Sequence, residues 1–236
     1  MARTKKNTTE KTFDGCMASL APEAMTVRLT FITECLATGV GDKELYKEYI
    51  ASKSPNAATI EDEVAAIGVE GALANAMQVF PKTEDGTPFI YDYQIKGFFK
   101  EKCSFLRKKP GTLSSKIKAF KKEIDGLIFV KERTNIIKLS GPLGKCERSL
   151  RAQTPSGEFT ALACSETIPA GSTCIFTIYA MGPDYLDRVR EWLSYGFFHG
   201  TGQWRNAGYG RFVWEELDSA GKVVGGNYDL KCCVES

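Results

Sequence analysis

Alternating apolar and polar positions mark the first regular element of the chain. Across Thr26–Cys35, every second residue from Val27 to Phe31 is apolar and the residues between them are polar. This period of two predicts a strand with one buried face. Other apolar or alternating stretches predict further strands, at Asp125–Val130, Arg133–Leu139, Thr160–Glu166, Thr173–Ala180 and Arg211–Leu217.

Apolar residues at helical spacing predict two long helices. In Gln94–Lys108, apolar residues recur three or four positions apart, and lysine and arginine occupy much of the remaining surface. Pro110-Gly111 ends this basic amphipathic helix. Asp184–Leu193 shows the same spacing, and shorter helices are predicted over Lys43–Ser52 and Glu61–Gly68.

The order of these elements predicts an α+β fold. It fits a ferredoxin-like, RRM-like βαββαβ core with an antiparallel sheet, a helical insertion at 43–80 after the first strand, and additional hairpins. One hairpin is predicted over Phe80–Tyr93, around the turn residues Glu84-Asp85-Gly86. We expect a flexible N-terminal arm at 1–24, a single domain at 25–217 and a C-terminal hairpin or tail at 218–236.

Charge is segregated along the chain, although the net charge is only +2. Lys96–Arg151 holds 16 Lys and Arg against 5 Asp and Glu, whereas Asp42–Asp92 holds 4 against 10. This separation indicates a polyanionic partner, or head-to-tail contact between copies of the chain. The residues that we expect to hold phosphates are basic, joined by a glycine placed in the first turn of the amphipathic helix: Lys96, Gly97, Lys100, Arg107, Lys108, Lys109, Lys116, Lys118, Lys121, Lys122, Arg148 and Arg151.

The eight cysteines are scattered and form no CxxC pair, which favours free thiols over a disulfide framework or a zinc site. The first residues are polar and lack the apolar segment of a signal peptide. No stretch approaches the roughly 18 apolar residues of a membrane helix. We therefore expect a cytoplasmic protein with no metal, no cofactor and no membrane contact.

A glycine-rich stretch, Tyr195–Trp214, concentrates the candidate binding chemistry. Its five glycines permit positive φ and close backbone approach, while its aromatic rings can stack on bases and its arginines can pair with phosphates. These are the parts of a single-stranded nucleic-acid site, although a tight connection with core aromatics would use the same residue types. The residues assigned to the site are Trp204, Arg205, Tyr209, Gly210 and Arg211.

Three local sequences resemble the RAMP superfamily, the RRM-like proteins that build CRISPR effector backbones. They are the opening strand and turn (Val27–Gly41), the helix start Tyr93-Gln94-Ile95-Lys96-Gly97, and the glycine-rich segment Gly208-Tyr209-Gly210-Arg211-Phe212. The resemblance spans Thr26–Leu217 in order. It implies single-stranded RNA or DNA held through backbone contacts by a row of copies.

The chain departs from that family at two places. Asp92-Tyr93-Gln94 stands where the family has a Pro-Gly-Ser lead-in, and the insertion at 43–80 is acidic, unlike an RNA-clamping thumb. The chain is also similar to small proteins of phages and prophages, which implies a stand-alone relative in a bacterium or a phage-infected cell. Its partner would then be a CRISPR effector or a host defence protein.

Two residues are candidates for catalysis, although we expect no enzyme activity. His199 is the one histidine of the chain, and acid–base cleavage at a 2′-hydroxyl requires two titratable groups at one phosphate. Asp42 follows the first strand, where the resemblance implies a catalytic aspartate in some backbone subunits, but it also fits a helix N-cap.

The predicted function is therefore non-catalytic binding of single-stranded nucleic acid, RNA in preference to DNA, by a protein that assembles in several copies. Two alternatives stay open. One is a metal-independent endoribonuclease that uses His199. The other is a phage protein that mimics a CRISPR subunit and interferes with host defence.

Overall fold

The computed structural model describes residues 22–40, 77–154 and 157–227. Within these ranges, only the backbone is described for residues 40, 149–154 and 157–163. The helices predicted over Lys43–Ser52 and Glu61–Gly68, the candidate Asp42 and residues 1–21 of the predicted arm lie outside the described residues. No helix in the described part of the chain combines the length and apolar character needed to cross a membrane.

The described chain contains twelve strands and three α-helices. The strands are β1 (Glu23–Phe31), β2 (Cys35–Leu36), β3 (Gly39–Val40), β4 (Gln78–Val79), β5 (Phe89–Tyr91), β6 (Ile128–Val130), β7 (Thr134–Lys138), β8 (Gly144–Thr154), β9 (Gly157–Ile168), β10 (Thr173–Ala180), β11 (Phe212–Leu217) and β12 (Val223–Gly226). The helices are α1 (Asp92–Leu106), α2 (Phe120–Leu127) and α3 (Pro183–Tyr195), with 3-10 turns at Leu113–Lys116 and Arg205–Ala207.

The main sheet has the strand order β12-β11-β1-β10-β7-β5, with β6 also paired to β10. Every pair in it is antiparallel. Helices α1 and α2 both lie in the long connection from β1 to β6, and α3 connects β10 to β11. Two helical crossovers around a central β1–β10 pair are the ferredoxin-like βαββαβ arrangement, so the predicted fold class is confirmed.

The alternation in β1 decides which face of the sheet is covered. Met25, Val27, Leu29 and Phe31 are all at most 5% exposed and lie in the hydrophobic core. From α1 and α3, Phe99 and Trp192 join this core, with ring centroids 5.6 Å apart. Each fully buried side chain of this size contributes roughly 1.5–3 kcal/mol, so the core anchors both helices to one face of the sheet.

A second sheet, in which β9 pairs with β2, β4 and β8, extends beside the core. Its main part is the β8–β9 hairpin, with strands of 11 and 12 residues. The prediction of a strand only over Thr160–Glu166 was too short, and β8 was not predicted as a strand. Polar residues occupy both faces of Gly144–Thr154, so the pattern shows no buried side from which to recognise it.

Two further predictions were wrong in detail. Asp125–Val130 is not one strand, because α2 continues to Leu127 and places Ile124 in the core before β6 begins. The hairpin predicted over Phe80–Tyr93 forms, but it is shorter: the Thr83 amide donates to the Thr87 carbonyl at 2.9 Å, the Phe89 amide donates to the Pro81 carbonyl at 3.0 Å, and one bridge joins Lys82 to Pro88. Beyond this short hairpin the chain leaves as β5, which pairs with β7.

Candidate nucleic-acid interface

The glycine-rich segment folds back on itself by contact of backbone with backbone. At Gly210, φ is +68°, and an added Cβ would lie 1.8 Å from the carbonyl oxygen of Thr201. The amide of Thr201 in turn donates to the carbonyl of Gly210 at 2.9 Å. Any side chain at 210 would therefore collide with main chain, which explains the glycine by packing.

The same segment is tied to the end of β1 by a set of hydrogen bonds. The hydroxyl of Thr33 donates to the carbonyl of Gly208 and accepts from the amide of Arg211, at 3.0 and 2.9 Å. The amide of Gly210 donates to the carbonyl of Glu34 at 2.7 Å. These bonds hold the segment in one conformation, so the residues it exposes are preorganised.

An arginine–aromatic cluster of Arg148, Trp204 and Tyr209 lies where β8 meets this segment. The guanidinium of Arg148 lies 5.4 Å from each ring centroid, and its Nη2 donates to the hydroxyl of Tyr209 at 2.8 Å. The two rings meet edge to face, with centroids 6.1 Å apart. The pKa of Tyr209 is raised, mainly by a hydrogen bond with the Cys146 thiol and to a lesser extent by burial, so this hydroxyl stays protonated at neutral pH.

The backbone of Trp204 adopts a left-handed conformation that places its ring in the cluster. It is the one residue other than glycine, within the described ranges, that has a positive φ, at +49°. A left-handed conformation costs a non-glycine residue about 1–2 kcal/mol. The fold holds the tryptophan there at the entry to the Arg205–Ala207 turn, which brings the ring to Arg148.

Arg205 and Arg211 make their contacts largely within the protein. Arg205 pairs through Nη2 with Oε1 of Glu101 at 2.9 Å, and its Nη1 donates to the carbonyl of Gly202. Arg211 donates through Nε to the carbonyl of Phe197 at 2.6 Å and stacks over that residue's ring. Both arginines thus stabilise the glycine-rich segment, and Arg205 does so at the wall of a cleft.

Lys102, a buried lysine that was not predicted to be functional, contacts the start of the glycine-rich stretch. Lys102 is fully buried, and its Nζ lies 2.6 Å from His199 Nδ1, 2.9 Å from Glu101 Oε2 and 2.9 Å from the carbonyl of Gly200. Burial lowers its pKa to about 8. A charged residue on the apolar face of α1, three positions after Phe99, was the signal that could have revealed it.

The network around Lys102 determines the state of His199. The protonated lysine donates to Nδ1, which leaves the proton on Nε2 to donate to Asn206 Oδ1 at 3.2 Å. Burial, and then the charge of Lys102, lower the pKa of His199, so the imidazole is neutral at pH 7. Both ring nitrogens contact protein partners, an arrangement that positions the loop and presents no nitrogen to a substrate.

A cleft of about 380 Å³ opens between α1 and the glycine-rich segment. Phe80 and Phe98 supply apolar wall, and Gln94, Glu101 and Arg205 supply polar groups. Gly97 also lines the cleft and leaves open space where a side chain would stand. Because α1 begins at Asp92, Gly97 lies in the second turn of the helix and not in the first, as the sequence analysis expected.

The predicted phosphate-binding cations differ in their surroundings: some contact protein groups and others are exposed to solvent. Lys96 and Lys100 both approach Asp125, at 3.9 and 2.6 Å, and burial lowers the pKa of Lys96. Arg107 stacks over Phe120. The side chain of Arg151, in β8, is not described. The remaining predicted lysines are exposed: Lys108, Lys109, Lys116, Lys118, Lys121 and Lys122.

No family model matches the sequence, and no curated protein matches it. Among solved structures, the chain is similar to one in the cryo-EM structure of the type III-B Cmr-beta bound to cognate target RNA. The two are 14% identical with a TM-score of 0.51, over 94% of this chain and 68% of the other. At 14% identity, this similarity shows a shared fold.

Proposed function

We propose that this protein binds single-stranded nucleic acid, RNA in preference to DNA, without cleaving it. The observation that carries the proposal is the arginine–aromatic cluster, in which a cation and two rings share one position on the surface. Arg148 is exposed, and Trp204 and Tyr209 are partly exposed beside it. The ferredoxin-like fold supports the proposal, since a chain of similar fold belongs to a complex solved with target RNA bound.

The cluster has the physical properties of a base-stacking platform. Stacking of a base on an aromatic ring contributes roughly 1–3 kcal/mol and requires no particular base. The edge-to-face packing of Trp204 on Tyr209 orients one ring by the other, and Arg148 adds charge next to both. The hydrogen bonds that join the loop to Thr33 and to the Glu34 carbonyl reduce the ordering cost of binding.

The exposed lysines that follow α1 and continue into the first turn of α2 supply the charge that a phosphate chain requires. Lys108, Lys109, Lys116, Lys118, Lys121 and Lys122 lie on this basic segment. Each phosphate neutralised on a single strand contributes about 0.7 to the slope of log affinity against log salt. Binding that involves several of these lysines should therefore weaken steeply as salt is added.

The arrangement of His199 supports binding without cleavage. Its Nδ1 is held by Lys102 and its Nε2 by Asn206, so it lacks the free nitrogen that a general base needs. Its neighbour Lys102 is buried and donates to three protein groups, so it offers no second acid at the surface.

The test is fluorescence anisotropy with end-labelled 20-nucleotide RNA and DNA of the same sequence, at a series of salt concentrations. Trp204→Ala should weaken binding by roughly 5- to 150-fold, the equivalent of about 1–3 kcal/mol. Phe198→Ala is the matched control, because Phe198 is a 68% exposed ring in the same segment and has its ring contacts with Tyr195 and Phe197 instead of the cluster.

Three results would contradict the proposal. One is the absence of binding to either strand at low salt. Another is an equal loss of affinity in the Trp204→Ala and Phe198→Ala variants, which would remove the cluster from the interface. The third is shortened RNA after incubation with the wild type but not with His199→Ala, which would replace binding alone with cleavage.

A further inference from the structure

The cleft beside α1 differs from the cluster because it combines an acceptor and a donor within apolar walls. Its volume, about 380 Å³, falls in the range of small-molecule sites and exceeds what one nucleobase fills. Phe80 and Phe98, each less than 10% exposed, contribute apolar wall to it. The polar groups at its wall then decide which ring fits.

Glu101 is a fixed hydrogen-bond acceptor in this wall. Its Oε1 accepts from Arg205 and its Oε2 from Lys102, each at 2.9 Å, so two cations hold the carboxylate in one orientation. Each carboxylate oxygen has a second lone pair, which leaves capacity for one further donor apiece. The acceptors available at this position fit a group with two adjacent N–H donors.

Arg205 provides donors next to that acceptor. Its guanidinium has five N–H groups, of which one bonds to Gly202 and one to Glu101. The wall therefore presents an acceptor pair beside a donor fork. Among the bases, guanine has the complementary edge, with donors at N1 and the 2-amino group and acceptors at O6 and N7. Adenine, cytosine and uracil each lack the second adjacent donor.

The cleft and the arginine–aromatic cluster are formed in part by consecutive residues of the chain. Arg205, at the cleft, directly follows Trp204, in the cluster, and consecutive Cα atoms are about 3.8 Å apart. The two sites are therefore adjacent along the chain, and we expect a strand that stacks one base on Trp204 to reach the cleft with a neighbouring nucleotide.

We propose that the cleft takes one guanine base of the bound single strand. Glu101 accepts from N1–H and the 2-amino group, and Arg205 donates to O6 or N7. Gly97 leaves the space that the ring occupies. This inference rests on the proposed function, and it adds base selectivity at one position to binding that is otherwise independent of sequence.

The test compares labelled uridine-rich 12-mers that carry one central guanosine, inosine or adenosine, or no purine, at one salt concentration. Inosine differs from guanosine only in lacking the 2-amino group. The wild type should bind the guanosine strand about tenfold more tightly than the inosine strand, because one hydrogen bond to a charged acceptor is lost. Glu101→Gln should reduce that ratio to about twofold or less, since an amide retains only one acceptor oxygen.

A second variant pair checks the site without altering its charges. Gly97→Leu places a side chain into the cleft and should remove the guanosine preference. Gly126→Leu is the matched control: this exposed glycine of α2 lies outside the cleft, no atom lies within 4 Å of an added Cβ, and the preference should persist. Circular dichroism and thermal unfolding of each variant establish that it is folded.

The outcomes separate the two proposals. If every strand binds with salt-dependent affinity but guanosine and inosine strands bind equally, the guanine site is overturned and the nucleic-acid function stands. A guanosine preference that persists in Glu101→Gln and in Gly97→Leu also overturns it. If no strand binds at all, the proposed function fails, and the inference fails with it.

Discussion

Replacing Lys102 by methionine should flatten one part of the pH dependence of folding stability. The ammonium of Lys102 is fully buried in the folded protein, and burial lowers its pKa from 10.5 to about 8. Glu101 opposes that shift and Arg205 adds to it. In the unfolded chain the same group titrates at its ordinary value. Methionine has a similar length and no charge, so it removes the titration and keeps most of the volume.

The sign and size of the effect follow from proton linkage. Between the folded and unfolded pKa values the unfolded chain binds more protons, so this group makes stability rise with pH. Its contribution is unfavourable below the folded pKa and is relieved as pH rises through about 8. From about pH 7 to about pH 9.5, the free energy of unfolding of the wild type should rise by about 2 kcal/mol relative to the variant.

The measurement is urea unfolding of both proteins at several pH values across this range, followed by circular dichroism. Other groups titrate in the same window, but they are common to both proteins and cancel in the difference. Lys100→Met is the matched control, because it removes an ammonium from the same helix that is 30% exposed and paired with Asp125. Parallel curves for wild type and Lys102→Met, with differences constant within about 0.5 kcal/mol, would refute the reasoning.

Two further predictions concern the loops that frame the interface. Gly210→Ala should lower the free energy of unfolding by about 3 kcal/mol or more, because its Cβ meets a carbonyl oxygen. Gly208→Ala should lower it by about 1 kcal/mol, because Gly208 has a φ of +88° but open space around an added Cβ. Equal unfolding midpoints for the two variants would contradict this prediction. The amides of Leu113 and Ser114 donate to the carboxylate of Glu191 at 2.7 and 3.0 Å. Glu191→Ala should therefore lower the free energy of unfolding by about 2 kcal/mol and accelerate hydrogen exchange at both amides. Unchanged exchange at both amides would show that other contacts hold the basic segment in place.

Sequence periodicity identified the elements that have one strongly apolar face. The strands β1 and β10 and the helices α1 and α3 were all predicted, because burial on one side of a strand or helix repeats at a spacing that neighbouring residues reveal. The strand β8 was missed because it has no such face. The helix α2 was not predicted, and its last residues were assigned to a strand, because the short apolar run Leu127–Val130 fits either a helix or a strand.

The sequence by itself determined the fold class, the core faces of the main elements and the residue types available for binding. Only the tertiary structure decided which of those residues meet. Arg148 joins Tyr209 across 61 positions, and Lys102 joins His199 across 97. Contacts of that separation depend on how strands pair and where a hairpin turns, which no local pattern specifies. For the same reason, the sequence assigned Arg211 to the nucleic-acid site, whereas in the structure its Nε donates to the Phe197 carbonyl of the same glycine-rich stretch.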